Sequence, residues 1–206
     1  MLARQGGLII LGVGTSFRRS TRDKPERREQ HQERCLMQDL AEQRHDPFAL
    51  YDPEILVVSD PVEIGAPAKV VWNILTALDR YGEWNPFCVW AQSTLEMGAP
   101  VHMKLVNYAN PGALTPNCEF ICGFEPERLL SWEMPDSAYW PYPARRDQMI
   151  EALGPECCRY QSTDAFTGPN GIHVMRFCGD WITRAFNDTA MALKRRAEAM
   201  YRGELS

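Results

Sequence analysis

The sequence predicts an α+β domain in which a run of about seven antiparallel strands is followed by one long carboxy-terminal helix. Three observations carry this reading. Between Ile55 and Phe166, short runs rich in β-branched and aromatic residues are separated by clusters of Gly, Pro, Asn and Glu. A helical stretch opened by Pro67 interrupts them after the first strand. From Ile172 to Arg202, apolar residues then step by three or four.

The first strand is Ile55-Leu56-Val57-Val58, interrupted at Asp60-Pro61 before Val62-Glu63-Ile64. Pro67 suits a first helical turn, where its missing N–H has no intrahelical partner and its ring presets φ. Val71, Leu75 and Leu78 follow at helical spacing, with Trp72 and Ile74 widening the stripe. The helix is expected to stop near Asp79, because Gly82 follows and Pro86 biases Asn85 away from helical geometry. Strands are then expected over 87–95, 101–108, 118–124, 129–134, 145–153 and 157–166, with turns at Glu96 to Pro100, Asn110 to Ala113, Glu125 to Arg128 and Gly154 to Glu156. Pro135 to Pro143 is an aromatic, proline-rich loop that caps a cavity or covers the core. In the last helix Met175, Cys178, Ile182, Phe186, Thr189, Leu193, Ala197 and Met200 form one apolar face. Gly179 is a candidate kink, and Asp180 a candidate cap for a second start.

The set Ile64, Ala66, Pro67, Val71, Trp72 and Leu75, followed by Asp79, Tyr81, Trp84, Asn85, Pro86 and Phe87, resembles the START-like helix-grip superfamily, also called SRPBCC, which includes polyketide cyclase/dehydrase-like proteins. Tyr81 falls one residue early against that pattern. The close of the last strand, Asp164-Ala165-Phe166-Thr167-Gly168, is similar to the family's acidic-x-Phe-x-Gly ending. The resemblance implies a helix-grip fold: a curved antiparallel sheet wrapped on the long carboxy-terminal helix, two short helices after the first strand, and a cavity between sheet and helix. It does not fix an activity, because one fold hosts many functions.

Residues 54–206 are assigned to this domain, and residues 1–53 to an extension whose mixed charges between Arg18 and Arg34 suit a disordered or loosely helical tail. The apolar run from Gly6 to Gly14 is too short to span a membrane and lacks a signal-peptide cleavage pattern. Met37 offers an alternative start. A net charge of −5 argues against a nucleic-acid surface, which needs concentrated Lys and Arg. Seven cysteines, Cys35, Cys88, Cys118, Cys122, Cys157, Cys158 and Cys178, are too sparse for a disulfide scaffold and point to a reducing cytoplasm. Cys118 and Cys122 are read as packing residues, since no His or Cys pair completes a metal site.

Strand alternation nominates the cavity lining. With Arg159 facing water, Tyr160, Ser162, Asp164 and Phe166 face inward, and Asp164 becomes the one candidate general acid or base. The alternative role for Asp164 is to hydrogen-bond loop N–H groups near Thr167-Gly168 and fix the strand end. Trp84, Phe87, Met103, Leu105, Trp132, Tyr139, Trp140, Tyr142, His173, Cys178, Ile182 and Phe186 complete the expected ligand contacts with Tyr160 and Phe166. His102 alternates with Val101 and Met103 and is expected outside. No phosphate cradle, Ser/His/Asp order or zinc spacing stands out, so neither cofactor nor metal is expected.

These readings point first to a protein that binds a hydrophobic small molecule such as a lipid, polyketide or aromatic metabolite. The alternatives are a polyketide cyclase, aromatase or dehydratase using a cavity acid or base, and a co-chaperone-like interaction module of the same superfamily. The ligand and the oligomeric state are not legible in the sequence.

Overall fold

Two Asp-Pro pairs open the described part of the chain. In the computed structural model the described residues are 46–137 and 142–205. Asp46 accepts a hydrogen bond from the Phe48 N–H at 3.0 Å and caps a one-turn helix, α1 (Pro47–Leu50). Asp52 does the same for the Glu54 N–H at 2.9 Å ahead of a 3-10 turn, Pro53–Ile55. In both, proline occupies a position whose N–H would be unsatisfied anyway. These caps lie at the start of the compact unit that begins at Asp46. The charge-rich tail read before it lies outside the described residues.

The strands are β1 (Leu56–Val58), β2 (Val62–Ile64), β3 (Cys88–Gln92), β4 (Pro100–Val106), β5 (Leu114–Glu125), β6 (Leu129–Met134), β7 (Ala144–Gly154) and β8 (Cys157–Phe166). All pairings are antiparallel, in the order β1-β8-β7-β6-β5-β4-β3, with β2 also on β8. The expected seven strands become eight elements because the first is split at Ser59-Asp60-Pro61. At the split, the Ser59 hydroxyl accepts from the Ser162 N–H at 3.0 Å, replacing a ladder bond. Asn187 clamps the same point from the last helix, accepting from the Asp60 N–H at 2.7 Å and donating to the Asp60 carboxylate at 2.9 Å. Register shifts in β3, β5 and β7 mark bulges, which bend strands and increase their twist.

Helix α2 (Ala68–Thr76) buries Ala68, Val71, Trp72, Ile74 and Leu75, the stripe read from the sequence. Pro67 stands just before it as the capping residue, and a 3-10 turn, Leu78–Glu83, follows. The buried Tyr81 hydroxyl donates to the Leu75 carbonyl at 2.8 Å, satisfying an orphan at the helix end. Gly82 is required by close approach, since a Cβ there would lie 2.8 Å from the Val89 carbonyl oxygen. The Asn85 side-chain oxygen then accepts from the Phe87 and Cys88 N–H groups at 3.0 and 2.9 Å and from the Thr189 hydroxyl at 3.4 Å. The Asn-Pro-Phe sequence thus starts β3, turns Phe87 inward and ties both to the last helix.

That helix, α3 (Gly171–Tyr201), runs unbroken through Gly179 for 31 residues and packs against β1, β2, β8 and α2. Its first residue is glycine for a steric reason: a Cβ at Gly171 would run into the Phe166 carbonyl. The second half of α3 contributes Ala190, Leu193 and Ala197 to a core shared with α2, Ile121, Leu130 and Ile150. Trp72, 8% exposed, fills this core and meets the Phe124 ring edge-on at 5.0 Å. Trp72→Ala should therefore cost roughly 3–5 kcal/mol. A drop in the urea midpoint with an unchanged denaturant slope would confirm a packing role, whereas unaltered stability would contradict it.

Candidate functional site

The first half of α3 faces a part of the sheet that α2 does not reach. There Val57, Phe87, Phe166, Val174, Ile182 and Phe186 form a second apolar cluster. Between them lies a cavity of about 250 Å³. Its walls are Phe87 ahead of β3, Met103 and Leu105 of β4, Asn117 and Glu119 of β5, Trp132 and Met134 of β6, and Ala144 and Arg146 of β7. Asp164 and Phe166 of β8, Tyr142, and Val174, Cys178, Trp181, Ile182 and Phe186 of α3 complete the main contacts.

Nine ligand contacts expected from the sequence line this space: Phe87, Met103, Leu105, Trp132, Tyr142, Phe166, Cys178, Ile182 and Phe186. Asp164 lines it too. Three others lie elsewhere. Trp84 packs edge-on against Tyr81, at 5.2 Å, in the other core. Tyr160 points inward as alternation requires, but four residues before Asp164, where α2 and α3 close over β8, and it is fully buried there. His173 is exposed because Val174 takes the inward position on that turn of α3. Tyr139 and Trp140 lie outside the described residues. His102 is exposed.

The polar part of the lining centres on Arg146, which sequence reading missed. Of the two successive arginines at the start of β7, Arg145 turns to the opposite face and meets Asp147, its Nε 3.1 Å from Oδ1. Arg146 turns inward and is 5% exposed. Trp132 and Asp164 are its direct cross-strand neighbours on β6 and β8. Its guanidinium lies 4.1 Å from the centroid of the Phe186 ring, 5.8 Å from Trp132 and 5.9 Å from Phe87. A desolvated cation on an aromatic face gains about 2 kcal/mol. The buried Nε and Nη2 nevertheless have no hydrogen-bond partner. Each such unmade bond costs about 1–3 kcal/mol, so the ring contacts do not offset the burial of this cation.

Glu119 was missed as well. Two residues before the buried Ile121, it shares that inward face and accepts from the Asn117 amide at 2.6 Å. Burial pushes its carboxyl up to about 8, and the Asp164 charge adds to this while Arg146 and Asn117 oppose it. Burial likewise pushes Asp164 up to about 7, against the pull of Arg146 and with help from Asp147. Asp164 Oδ1 is buried without a partner, and no hydrogen bond ties the side chain to the loop at Thr167-Gly168. Deeper along the same strands, Tyr160 donates to Gln148 at 3.3 Å; burial raises its phenol while Arg146 and Ser162 pull it down, and Gln148 Nε2 is buried and unpartnered. The signal available for both missed residues was alternation: Ile121 and Ile150 fix the inward face, and Glu119 and Arg146 stand an even number of residues from them.

No known protein-family profile matches the chain, and no curated protein sequence does. Solved structures do. The aromatase/cyclase Zhui from Streptomyces sp. R1128 is similar over 72% of this chain and 96% of its own, with a TM-score of 0.57 at 17% identity. The di-domain ARO/CYC BexL from the BE-7585A biosynthetic pathway is similar over 70% of this chain and 47% of its own, with a TM-score of 0.54 at 15% identity. A START superfamily protein from Mycobacterium smegmatis is similar over 73% and 99%, with a TM-score of 0.50 at 14% identity. The chain has the START-like helix-grip fold. At these identities the likeness is one of architecture. Among the described residues no helix is long and apolar enough to cross a membrane.

The raised carboxyls give the helix-grip domain a definite pH dependence. A carboxyl whose folded pKa lies above its unfolded value contributes stability that is complete below the unfolded value, near about 4, and is lost as pH rises through the folded one. For Glu119 and Asp164 that window runs from about 4 to about 8. Unfolding free energy should therefore fall between about pH 5 and about pH 8, by at most about 1.4 kcal/mol per pH unit for each proton involved. Glu119→Gln should flatten that slope. Parallel urea-stability profiles for the two proteins would rule the pair out as its source.

Proposed function

We propose that the chain binds a hydrophobic small molecule of the lipid, polyketide or aromatic-metabolite class in the cavity between the sheet and α3. The observation that carries this reading is the unfilled space itself. Protein interiors leave few voids larger than a water molecule. Here about 250 Å³ stays open among Phe87, Phe166, Trp181, Ile182 and Phe186, with a small number of polar groups in one wall. That is the make-up of a small-molecule site. Two aromatase/cyclases and a START superfamily protein share this fold, which supports reading it as one that handles a small molecule. A cytoplasmic setting belongs to the proposal and fits the six described cysteines, all unpaired thiols.

Naphthalene should raise the melting temperature of the protein, by an amount equivalent to about 2.7 kcal/mol at a hundredfold excess over Kd. Ile182→Trp places an indole in the cavity and should abolish that shift while keeping or raising the melting temperature without ligand, as cavity filling does. Equal shifts in both proteins would put the binding elsewhere.

One observation favours a second reading, a cyclase, aromatase or dehydratase that moves protons in the cavity. Asp164 and Glu119 are both held toward neutral pKa values, where one carboxyl can donate a proton while another accepts. In that case Asp164→Asn, nearly isosteric but unable to ionise, should abolish turnover of a cyclising substrate while shifting naphthalene affinity by less than about tenfold. Full turnover by Asp164→Asn would remove this reading and leave the binding one standing.

A further inference from the structure

We infer that the ligand of this cavity carries one carboxylate, or an equivalent oxyanion, on an apolar body of one or two rings, and that Arg146 receives it through Nε and Nη2. This rests on the reading of the cavity as a hydrophobic binding site and specifies what that site selects.

The first argument is the edge that is left open. Nε–H and the adjacent Nη2–H of an arginine point the same way and match the two oxygens of a carboxylate. This chain uses that edge twice on its own carboxylates. Arg80 holds Glu83 with Nε to Oε1 at 3.0 Å and Nη2 to Oε2 at 3.0 Å. Arg202 holds Glu204 in the same way, at 2.7 and 2.9 Å. In Arg146 these two atoms are the ones buried without a partner, and among the described residues no carboxylate forms an ion pair with it.

The second argument is that the guanidinium is already held. Its Cζ lies 4.1 Å from the Phe186 ring centroid, with Trp132 and Phe87 at 5.8 and 5.9 Å, so the side chain is already packed into the cavity wall before a ligand arrives. Asp164 and Glu119, the acidic residues in the lining, make no hydrogen bond to Nε or Nη2 and do not fill the fork. The third argument is size. A dry cavity of about 150 Å³ takes benzene, so the 250 Å³ here suits a bicyclic body better than an extended chain of fused rings.

The test is a matched pair, 2-naphthoate and methyl 2-naphthoate, titrated calorimetrically into the full chain. The acid should bind at least about tenfold more tightly than the ester, as a charge-assisted fork predicts. In Arg146→Met the ratio of the two affinities should collapse to about one. Arg146→Lys keeps the charge but loses the fork, and should also lose most of the ratio; it serves if the Met variant fails to fold. In the wild-type protein, the ¹⁵Nε–H signal of Arg146 should shift and exchange more slowly with naphthoate and not with the ester. An ester that binds as well as the acid, or an acid preference that survives both substitutions, would overturn the inference and leave the cavity a hydrophobic site. If acid, ester and naphthalene all fail to bind, the cavity reading itself fails and this inference with it.

Discussion

The contact on which the site depends is the stack of the Arg146 guanidinium on the Phe186 ring, 4.1 Å from its centroid. It joins the middle strands of the sheet to the middle of α3, at the boundary between a packed core and an open cavity. On one side of it, Trp132 closes the core beside Ile121 and Leu130. On the other, Phe87, Ile182 and Trp181 leave space. This ring contact holds the guanidinium in the cavity wall and leaves Nε and Nη2 without hydrogen-bond partners.

Why one half of the interior is full and the other open follows from chain length. At 1.5 Å per residue, α3 extends about 45 Å, while the nine-residue α2 covers under a third of that. α2 supplies Val71, Trp72 and Leu75 against the second half of α3, where small residues such as Ala190 and Ala197 let the elements approach closely. Among the described residues, no helix of that length packs against the first half. The side chains of α3 there are Val174, Cys178, Ile182 and Phe186, which meet the sheet at their rims but do not fill the gap. The Asn85 knot, which binds β3 and Thr189 together, marks where closure ends.

The elements most legible in the sequence were those whose residues have one physical role. β6 and β8 were read with the boundaries observed, because alternation and flanking turns agreed. β5 was read as 118–124, four residues short at its start and one at its end, and the missed start contains Pro116, a residue type that ordinarily argues against a strand interior. Pro116 is accommodated because the β5–β6 ladder covers only Phe120–Glu125, so β5 has β4 alone beside it at that point. The site was legible where it is apolar or on β8, and illegible at Arg146 and Glu119. A charged residue on a strand is ordinarily outward, and only the register set by Ile121 and Ile150 places these two inside. His173 failed for the converse reason: its place near the start of α3 was apparent, but the face it takes depends on where the first turn begins, which the close approach of Gly171 to Phe166 decides.

Magnitudes indicate that Arg146 is not there for stability. Removing a guanidinium from water costs several kcal/mol, and a cation on an aromatic face recovers about 2. Two unmade hydrogen bonds add about 1–3 kcal/mol each to the deficit. An apolar residue of similar volume, flanked by Trp132, Phe87 and Phe186, would pack here at lower cost, as replacement of buried charges by hydrophobic residues does elsewhere. The neighbouring carboxyls do not relieve the deficit, because burial favours their neutral forms and so withholds the counter-charge that a structural ion pair would supply. Arg145, one residue away, shows the structural alternative, with Asp147 as its partner and the Ser131 hydroxyl donating to the same carboxylate at 2.6 Å. The sheet therefore carries both arrangements side by side. One arginine is satisfied on the outer face, where it completes a polar network. The other is held by rings on the inner face, with Nε and Nη2 unpaired by any group among the described residues and a cavity beside it.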